Sequence, residues 1–212
     1  MGLLSIESLI YRFPAIVLAL TLHEYAHGRA AFAFGDPTAK NAGRLTLNPL
    51  RHLDIIGTLM LIMFGFGWAK PVPVNPYYFQ GDRRKKVMYV SAAGPASNLL
   101  QALLVAVLLS LLVHLLPPGK NLFSSWFLNF LYYLIFINIL LAVFNLLPVP
   151  PLDGSKILAG FLSERYGNII YQMERYGFII LIIAMWLGLF RVIISPIVEF
   201  IFQGIMRLVG LF

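Results

Sequence analysis

Long apolar runs, ended by glycine, proline or charged residues, constrain the fold of this chain more than any other feature. The clearest of them are Val87–Leu116, which Gly94-Pro95 interrupts, Trp126–Leu147, and Phe178–Ile194, which Pro196 ends. A helix of about 20 apolar residues is long enough to cross the hydrocarbon core of a bilayer. Of the 212 residues, 59% are hydrophobic and only 12% are charged, roughly half the charged fraction of a soluble domain. The sequence therefore predicts an all-α polytopic membrane protein.

The residues before these runs are predicted to form two further helices. Residues 3–13 place apolar side chains on one helical face, which suits a short helix lying in the membrane interface. Pro14 fits the first turn of a second helix, which would run to Phe34 and end at Gly35. At about 1.5 Å per residue this second helix would measure about 31 Å, enough to cross the membrane.

Two shorter segments lie between the first helix and the long runs. Ile55–Gly67 is apolar but short for a span, and it contains three glycines, so it is interpreted as a re-entrant hairpin or a buried short helix. Lys70–Pro76 must be extended, because each of its prolines disfavours helix at itself and at the preceding residue. The prediction is therefore about four full transmembrane helices plus a re-entrant hairpin and short extended segments.

The C-terminal residues 195–212 are predicted to form an amphipathic helix. Their polar residues recur every four positions on an otherwise apolar segment, at Ser195, Glu199, Gln203 and Arg207. Such a stripe suits either an interfacial helix or a helix–helix seam. No repeat or soluble domain is apparent, so residues 1–212 are predicted to be a single domain with a core at about 14–160.

Lysine and arginine predict the orientation in the membrane. If the 55–67 segment is re-entrant, four of the sixteen basic residues lie on one side, namely Arg12, Lys120, Arg191 and Arg207. The other twelve lie on the opposite side, which is therefore cytoplasmic. A fully crossing 55–67 segment would weaken this bias. The net charge of +7 is accordingly interpreted as binding to anionic headgroups, and no nucleic-acid partner is predicted.

The first spanning helix carries His23-Glu24-Tyr25-Ala26-His27. Residues four apart on a helix face the same side, so the two imidazoles can share one metal ion. Glu24 is turned aside and can act on a water molecule as a general base. The alternative is a pair of packing histidines with a buried carboxylate partner. Because an acidic residue at the centre of a span costs about 3 kcal/mol, the metal interpretation is preferred.

A catalytic zinc site needs a third protein ligand, and the chain has no cysteine. His114 lies at the far end of its span and is interpreted as an interfacial residue. His52 and Asp54 follow the first span, where solvated surface residues are the default. Asp153 follows a proline-broken span end, a feature tolerated at membrane depth mainly around buried sites or cavities. Its alternative role is an Asp–Gly turn.

Taken together, the motifs resemble the site-2 protease family of intramembrane zinc metalloproteases. The first is the His-Glu-x-x-His sequence on a membrane helix, and the second is Asn-x-x-Pro-x-x-Pro-x-Asp-Gly over residues 145–154. Segments 43–49, 69–76 and 93–98 are similar to the short bacterial and archaeal branch, without PDZ or CBS domains. The likeness covers roughly residues 14–160. It implies one Zn²⁺ per chain, held by His23, His27 and Asp153, with Glu24 as catalytic base.

The resemblance also implies a function and a location. The chain would hydrolyse peptide bonds in or near transmembrane segments of membrane-protein substrates, as in regulated intramembrane proteolysis. It would be a multi-pass protein of the cell membrane with its active site towards the cytoplasmic half. Asn145 could stabilise an oxyanion or contact substrate, or it could join two helices. The other intramembrane amides are interpreted as packing helices or lining a water path: Asn98, Gln101, Asn129 and Asn138.

Two other functions stay open from the sequence. A metal-ion transporter could use the same ligands as a transit site, but it should carry further ligands along a pathway. A non-catalytic relative could bind membrane proteins without cutting them, but it would be expected to lack Glu24. The extended stretches at 44–48 and 71–75 could hold an unwound substrate by strand addition. A homo-oligomer is also left open.

Overall fold

The computed structural model describes residues 6–64, 67–115 and 125–211, and every regular element in them is helical. The α-helices are α1 Ile6–Ala33, α2 Thr38–Asn41, α3 Ile55–Phe64, α4 Arg83–Leu115, α5 Ser125–Asn145, α6 Asp153–Phe161, α7 Glu164–Trp186 and α8 Leu189–Leu208. Pro49–Arg51 and Pro76–Tyr78 form single 3₁₀ turns. The predicted all-helical fold is confirmed.

The centre of the molecule is a bundle of α1, α4, α5 and α8. Of the described helices, α4 and residues Trp126–Asn145 of α5 are long and apolar enough to cross a membrane. Their shared core includes Ala102 and Ala106 of α4 and Ile135 and Ile139 of α5. Alanines 15 and 19 of α1 pack against the other side of α5. Small side chains at these crossings let the helix backbones approach closely.

The N-terminal helix differs from the prediction. Pro14 lies inside α1, so the described residues 6–13 belong to the same helix as the rest of α1. The prediction of a separate interfacial helix over 3–13 is therefore wrong for residues 6–13. Residues 3–5 lie outside the described part. A proline within a helix removes one backbone hydrogen bond, which a long packed helix can accommodate. The predicted end of the helix is confirmed, because Gly35 has a φ of 97°.

The helix α4 is longer than predicted and is not interrupted. It begins at Arg83, four residues before the predicted start, because the Asp82 side chain accepts a hydrogen bond from the Lys85 N–H at 3.1 Å. It also continues through Gly94 and Pro95. The predicted final residue, Leu116, lies outside the described residues.

The C-terminal third departs most from the prediction. The helix predicted over Phe178–Ile194 is wrong, since α7 ends at Trp186 and α8 begins at Leu189. Gly188, with a φ of 70°, provides the left-handed turn between them. Pro196 was interpreted as a terminator but lies inside α8. The predicted C-terminal helix therefore begins six residues earlier.

The helix α7 packs on α6 and on the connection before it. Lys156 of α6 and Glu174 of α7 form an ion pair at 3.4 Å. A Cβ atom on Gly177 would collide with the Pro150 carbonyl group, so the absence of a side chain there permits the contact. The turn after α7 leads into α8, whose first residues line a cavity together with Phe144 near the end of α5.

The segment around α3 closes on itself. Leu53 and Ala69 form an antiparallel bridge, and the Lys70 N–H donates to the His52 carbonyl at 2.8 Å. A Cβ on Gly57 would collide with the Trp68 carbonyl oxygen, so glycine is needed where the returning chain crosses α3. The two ends of this segment therefore lie side by side. Residues 70–75 that follow contain no helix, in agreement with the predicted extended segment, but Pro76, the last residue of that segment, begins a 3₁₀ turn.

Candidate metal and active site

The two histidines of α1 are held by hydrogen bonds from their Nδ1 atoms. His27 Nδ1 donates to the Val90 carbonyl at 2.7 Å, and His23 Nδ1 donates to Asn98 Oδ1 at 2.6 Å. The Asn98 amide is oriented by its own Nδ2, which donates to Asn138 Oδ1 at 2.8 Å. With a proton on Nδ1, each neutral imidazole presents a lone pair at Nε2.

Asp153 completes a cluster of three ligand atoms. Its Oδ2 lies 3.2 Å from the Nε2 of His23 and 3.2 Å from that of His27, and the two Nε2 atoms are 3.0 Å apart. Tetrahedral zinc with bonds of about 2.0–2.1 Å requires ligand atoms about 3.3 Å apart. Three acceptors facing one another at these distances repel unless a cation lies among them. The donor set therefore fits zinc.

The break after α5 brings Asp153 to the histidines. The helix α5 ends at Asn145, and α6 begins at Asp153 itself. A Cβ on Gly154 would collide with the carbonyl oxygens of Leu146 and Leu147, so only glycine allows α6 to start this close to the end of α5. The Asp–Gly pair is thus a helix start rather than a C-terminal turn.

Gly94 explains why α4 contains Gly-Pro where the histidines pack. A Cβ at this position would lie 2.6 Å from His23 Cε1 and would collide with His27 Nε2. The α4 backbone can therefore approach both imidazoles only because residue 94 has no side chain. The same pair of residues was interpreted from the sequence as an interruption of the span.

Glu24 points to the segment 70–75 and not to the cluster of His23, His27 and Asp153. Its Oε2 accepts a hydrogen bond from the Val72 N–H at 2.8 Å. The segment is fixed further on, where Asp36 Oδ2 accepts from the Asn75 N–H at 2.7 Å. Asp36 is fully buried, and its role was not predictable from the sequence, because Gly35-Asp36-Pro37 indicates only the end of a helix.

These groups open onto a cavity of about 660 Å³. Its lining includes the three ligand residues, Glu24 and Asn145, together with the basic residues Arg83, Arg84 and Lys156. Asn145 Nδ2 donates to the Leu141 carbonyl of its own helix at 3.0 Å. Among the described contacts, this amide does not join two helices, and it faces the cavity.

The remaining candidate ligands lie outside the cluster. His52 is only 1% exposed, and its Nε2 donates to the Thr46 carbonyl at 2.8 Å, so a solvated surface position is wrong. Asp54 accepts from the Gly57 N–H at 2.8 Å and so caps α3. His114 is exposed and bonds the Ser110 carbonyl. In the described part of the chain, only His23, His27 and Asp153 form a group that could hold a metal.

Comparison with known proteins gives independent evidence of the family to which the chain belongs. Residues 111–189 match Peptidase family M50. YwhC of Bacillus subtilis (strain 168) is 39% identical over 189 residues, which cover 89% of this chain and 86% of YwhC. The chain belongs to peptidase family M50. This is the site-2 protease family, so the resemblance predicted from the motifs is confirmed.

Other M50 relatives extend the comparison. Rip2 of Mycolicibacterium smegmatis is 31% identical over 80% of this chain and 64% of Rip2. MJ0611 of Methanocaldococcus jannaschii is 32% identical over 73% of this chain and 72% of MJ0611. All three relatives carry the name "putative zinc metalloprotease". No solved structure matches this chain.

Asn98 should tune metal affinity in this M50 protein. Asn98→Leu removes the acceptor that orients His23, and we expect zinc to bind about 10- to 100-fold more weakly. Gln101→Leu is the matched control, because Gln101 is an amide of the same helix whose Nε2 is buried without a partner. Zinc affinity is measured by competition with a chelator. Equal losses in both variants would contradict a specific role for Asn98.

Proposed function

We propose that this chain is an intramembrane zinc metalloprotease that hydrolyses peptide bonds in or near transmembrane segments of other membrane proteins. The observation that carries the proposal is the convergence of His23 Nε2, His27 Nε2 and Asp153 Oδ2 within 3.2 Å of one another. Glu24 lines the same cavity without joining that cluster. The test is cleavage of a transmembrane reporter peptide in proteoliposomes by the wild-type protein and by Glu24→Gln.

The cluster and Glu24 divide the chemistry between them. His23, His27 and Asp153 would hold zinc, which lowers the pKa of a bound water and polarises a carbonyl group. Glu24 is the general base that takes the proton from the attacking water and returns it to the leaving amine. Asn145 has one amide hydrogen left after bonding the Leu141 carbonyl, and this hydrogen can stabilise the oxyanion.

Four helices cross the membrane in the proposed arrangement: α1, α4, α5 and α8. Support comes from the two apolar helices α4 and α5 and from the packing of α1 and α8 along them. The segment around α3 is re-entrant, because its ends meet at the Leu53–Ala69 bridge. Residues 1–212 then form one domain, to which α8 contributes core residues.

The basic residues orient the protein with the site towards the cytoplasm. The cluster Arg83–Lys86 begins α4, and two of its members line the cavity. Arg191 was assigned from the sequence to the opposite side. It lines a cavity with Phe144, near the end of α5 that leads to Asp153, so it belongs with the cytoplasmic residues. This reassignment strengthens the positive-inside bias.

Two features favour a protease over the alternatives. A transport pathway needs successive metal sites, and the described residues contain a single candidate group. A non-catalytic relative has no need of a carboxylate beside the ligands, and Glu24 is present and fixed by Val72. The substrate helix must be unwound before cleavage, because its own hydrogen bonds shield the peptide bonds. The extended segment 71–75 beside Glu24 is the proposed place for the unwound strand.

The proposed orientation predicts a labelling pattern. Because the chain has no cysteine, single cysteines report on one position each. Lys85→Cys and Arg175→Cys should react with a membrane-impermeant maleimide only from the cytoplasmic side, and Lys120→Cys only from the other. Labelling of the Lys85→Cys variant only from outside would overturn the orientation.

A further inference from the structure

The outer surface of α8 carries a line of polar side chains. Ser195, Glu199, Gln203 and Arg207 follow one another at four-residue intervals, and all are exposed. The buried face of the helix is formed by other residues, Ile194, Val198, Phe202 and Met206. The polar line is therefore not a contact between α8 and another helix of the same chain. A helix–helix seam was one of the two roles predicted for it.

The depth of this line follows from the packing of α8 on α5. The Phe202 ring lies 5.1 Å from that of Tyr132 and 6.2 Å from that of Phe136, near the middle of α5. Glu199 is one turn before Phe202, and Gln203 is adjacent to it. If α5 crosses the bilayer as proposed above, these two polar side chains lie near its centre.

An exposed carboxylate at the centre of a bilayer is energetically unfavourable unless another polar group binds it. Ionisable groups at this depth are costly and almost always face another protein element or water. In the described residues, neither the Glu199 nor the Gln203 side chain has a hydrogen-bond or ion-pair partner in the monomer. A second polypeptide that covers this face would relieve the cost.

The chemistry of the line fits a second copy of this chain. Copies in one membrane share an orientation, so a two-fold axis along the membrane normal pairs α8 with α8 in parallel. Each residue then meets its counterpart and residues one turn away. Glu199 accepts hydrogen bonds, Gln203 donates and accepts, and Arg207 donates. Neighbouring turns of the line are therefore complementary to one another across such an axis.

We propose that the chain forms a homodimer in the membrane through the exposed face of α8. At this interface Glu199 accepts a hydrogen bond from Gln203 of the second copy, and Gln203 can also pair with its own counterpart. The exposed Phe200 ring, 81% accessible in the monomer, adds apolar contact beside the polar line. This proposal requires the membrane embedding proposed above but not the proteolytic activity.

Disulfide crosslinking tests the dimer in purified proteoliposomes, where only this protein is present. Ser195→Cys lies one turn before Glu199 on the polar line and leaves Glu199 and Gln203 intact, so it should give a crosslinked dimer as the main species on oxidation. Ile197→Cys and Leu208→Cys are matched controls on the side of α8 turned away from the polar line at 3.6 residues per turn, where both residues are exposed, and they should stay monomeric. Crosslinking that is absent at 195, or equal at all three positions, would overturn the proposal.

A second variant tests the hydrogen bonds themselves. Glu199→Leu in the Ser195→Cys background, where Gln203 is intact, should weaken dimerisation about 3- to 30-fold, the range expected for an interhelical hydrogen bond in a membrane. Unchanged zinc content shows that the variant is folded, and resistance to carbonate extraction shows that it is embedded. Extraction of the wild-type protein by carbonate would contradict the membrane embedding itself. Unchanged crosslinking in the Leu variant would contradict the assigned contact.

Discussion

Glu24→Gln is expected to abolish proteolysis while leaving zinc bound at the wild-type level. The amide has the same shape and can still accept the hydrogen bond that Val72 donates to Oε2, but it cannot take a proton from water. General-base catalysis contributes about 10²- to 10⁴-fold to a rate, so cleavage should fall by at least that factor. Cleavage is followed in proteoliposomes, and zinc is measured by elemental analysis.

Glu174→Gln is the matched control for this variant. Glu174 also lines the cavity, but its carboxylate pairs with Lys156, and the ion pair is partly exposed to solvent. Its replacement should leave cleavage within a few-fold of wild type, since such pairs contribute little. Loss of stoichiometric zinc from Glu24→Gln would mean that Glu24 coordinates the metal. Full activity in Glu24→Gln would exclude it as the base.

Asp153→Ala should release zinc from the protein. Removing the carboxylate leaves only the two imidazoles of the cluster. We therefore expect zinc affinity to fall by more than about 100-fold, which exceeds the loss typical when a residue that only orients a ligand is replaced. Cleavage should be lost with the metal. Zinc content after dialysis against a weak chelator measures the effect.

Two variants outside the cluster are the controls for Asp153→Ala, one that removes a carboxylate and one that removes an imidazole. Asp54→Ala removes only the cap of α3, so it should cost about 1 kcal/mol of stability and retain zinc. His52→Ala removes a buried bond to the Thr46 carbonyl and should also retain zinc. If zinc instead stayed with Asp153→Ala and left either control, the third ligand would lie in the loop after α1.

The three side chains that converge in the structure were predictable from the sequence, because metal binding restricts the choice of residues. With no cysteine and four histidines, few combinations could hold zinc, and the spacing of His23 and His27 fixed their common face. The residues that orient His23 could not be predicted from the sequence in the same way. From the sequence, Asn98 and Asn138 are interpreted as packing helices or lining a water path, because nothing in the sequence indicates which amide meets an imidazole 75 residues away.

The helix boundaries show the limits of local signals. The sequence predicts that Pro14 starts a helix and that Pro196 ends one, yet both lie inside helices that pack along the bundle. Gly188 gave no signal within its apolar run, although its positive φ separates α7 from α8. Tertiary packing decides whether a single proline or glycine ends a helix, and a one-dimensional pattern does not contain that packing.

The distance along the chain between the ligands has a consequence for biosynthesis. His23 and His27 leave the ribosome more than 120 residues before Asp153. At about 5–20 residues per second, the new chain carries two ligands without the third for about 6–25 s. The partner of His23, Asn98, also arrives late. In the proposed function, metal capture is therefore a closing step of synthesis, and a truncated product that stops before α6 lacks one of the three side chains of the cluster.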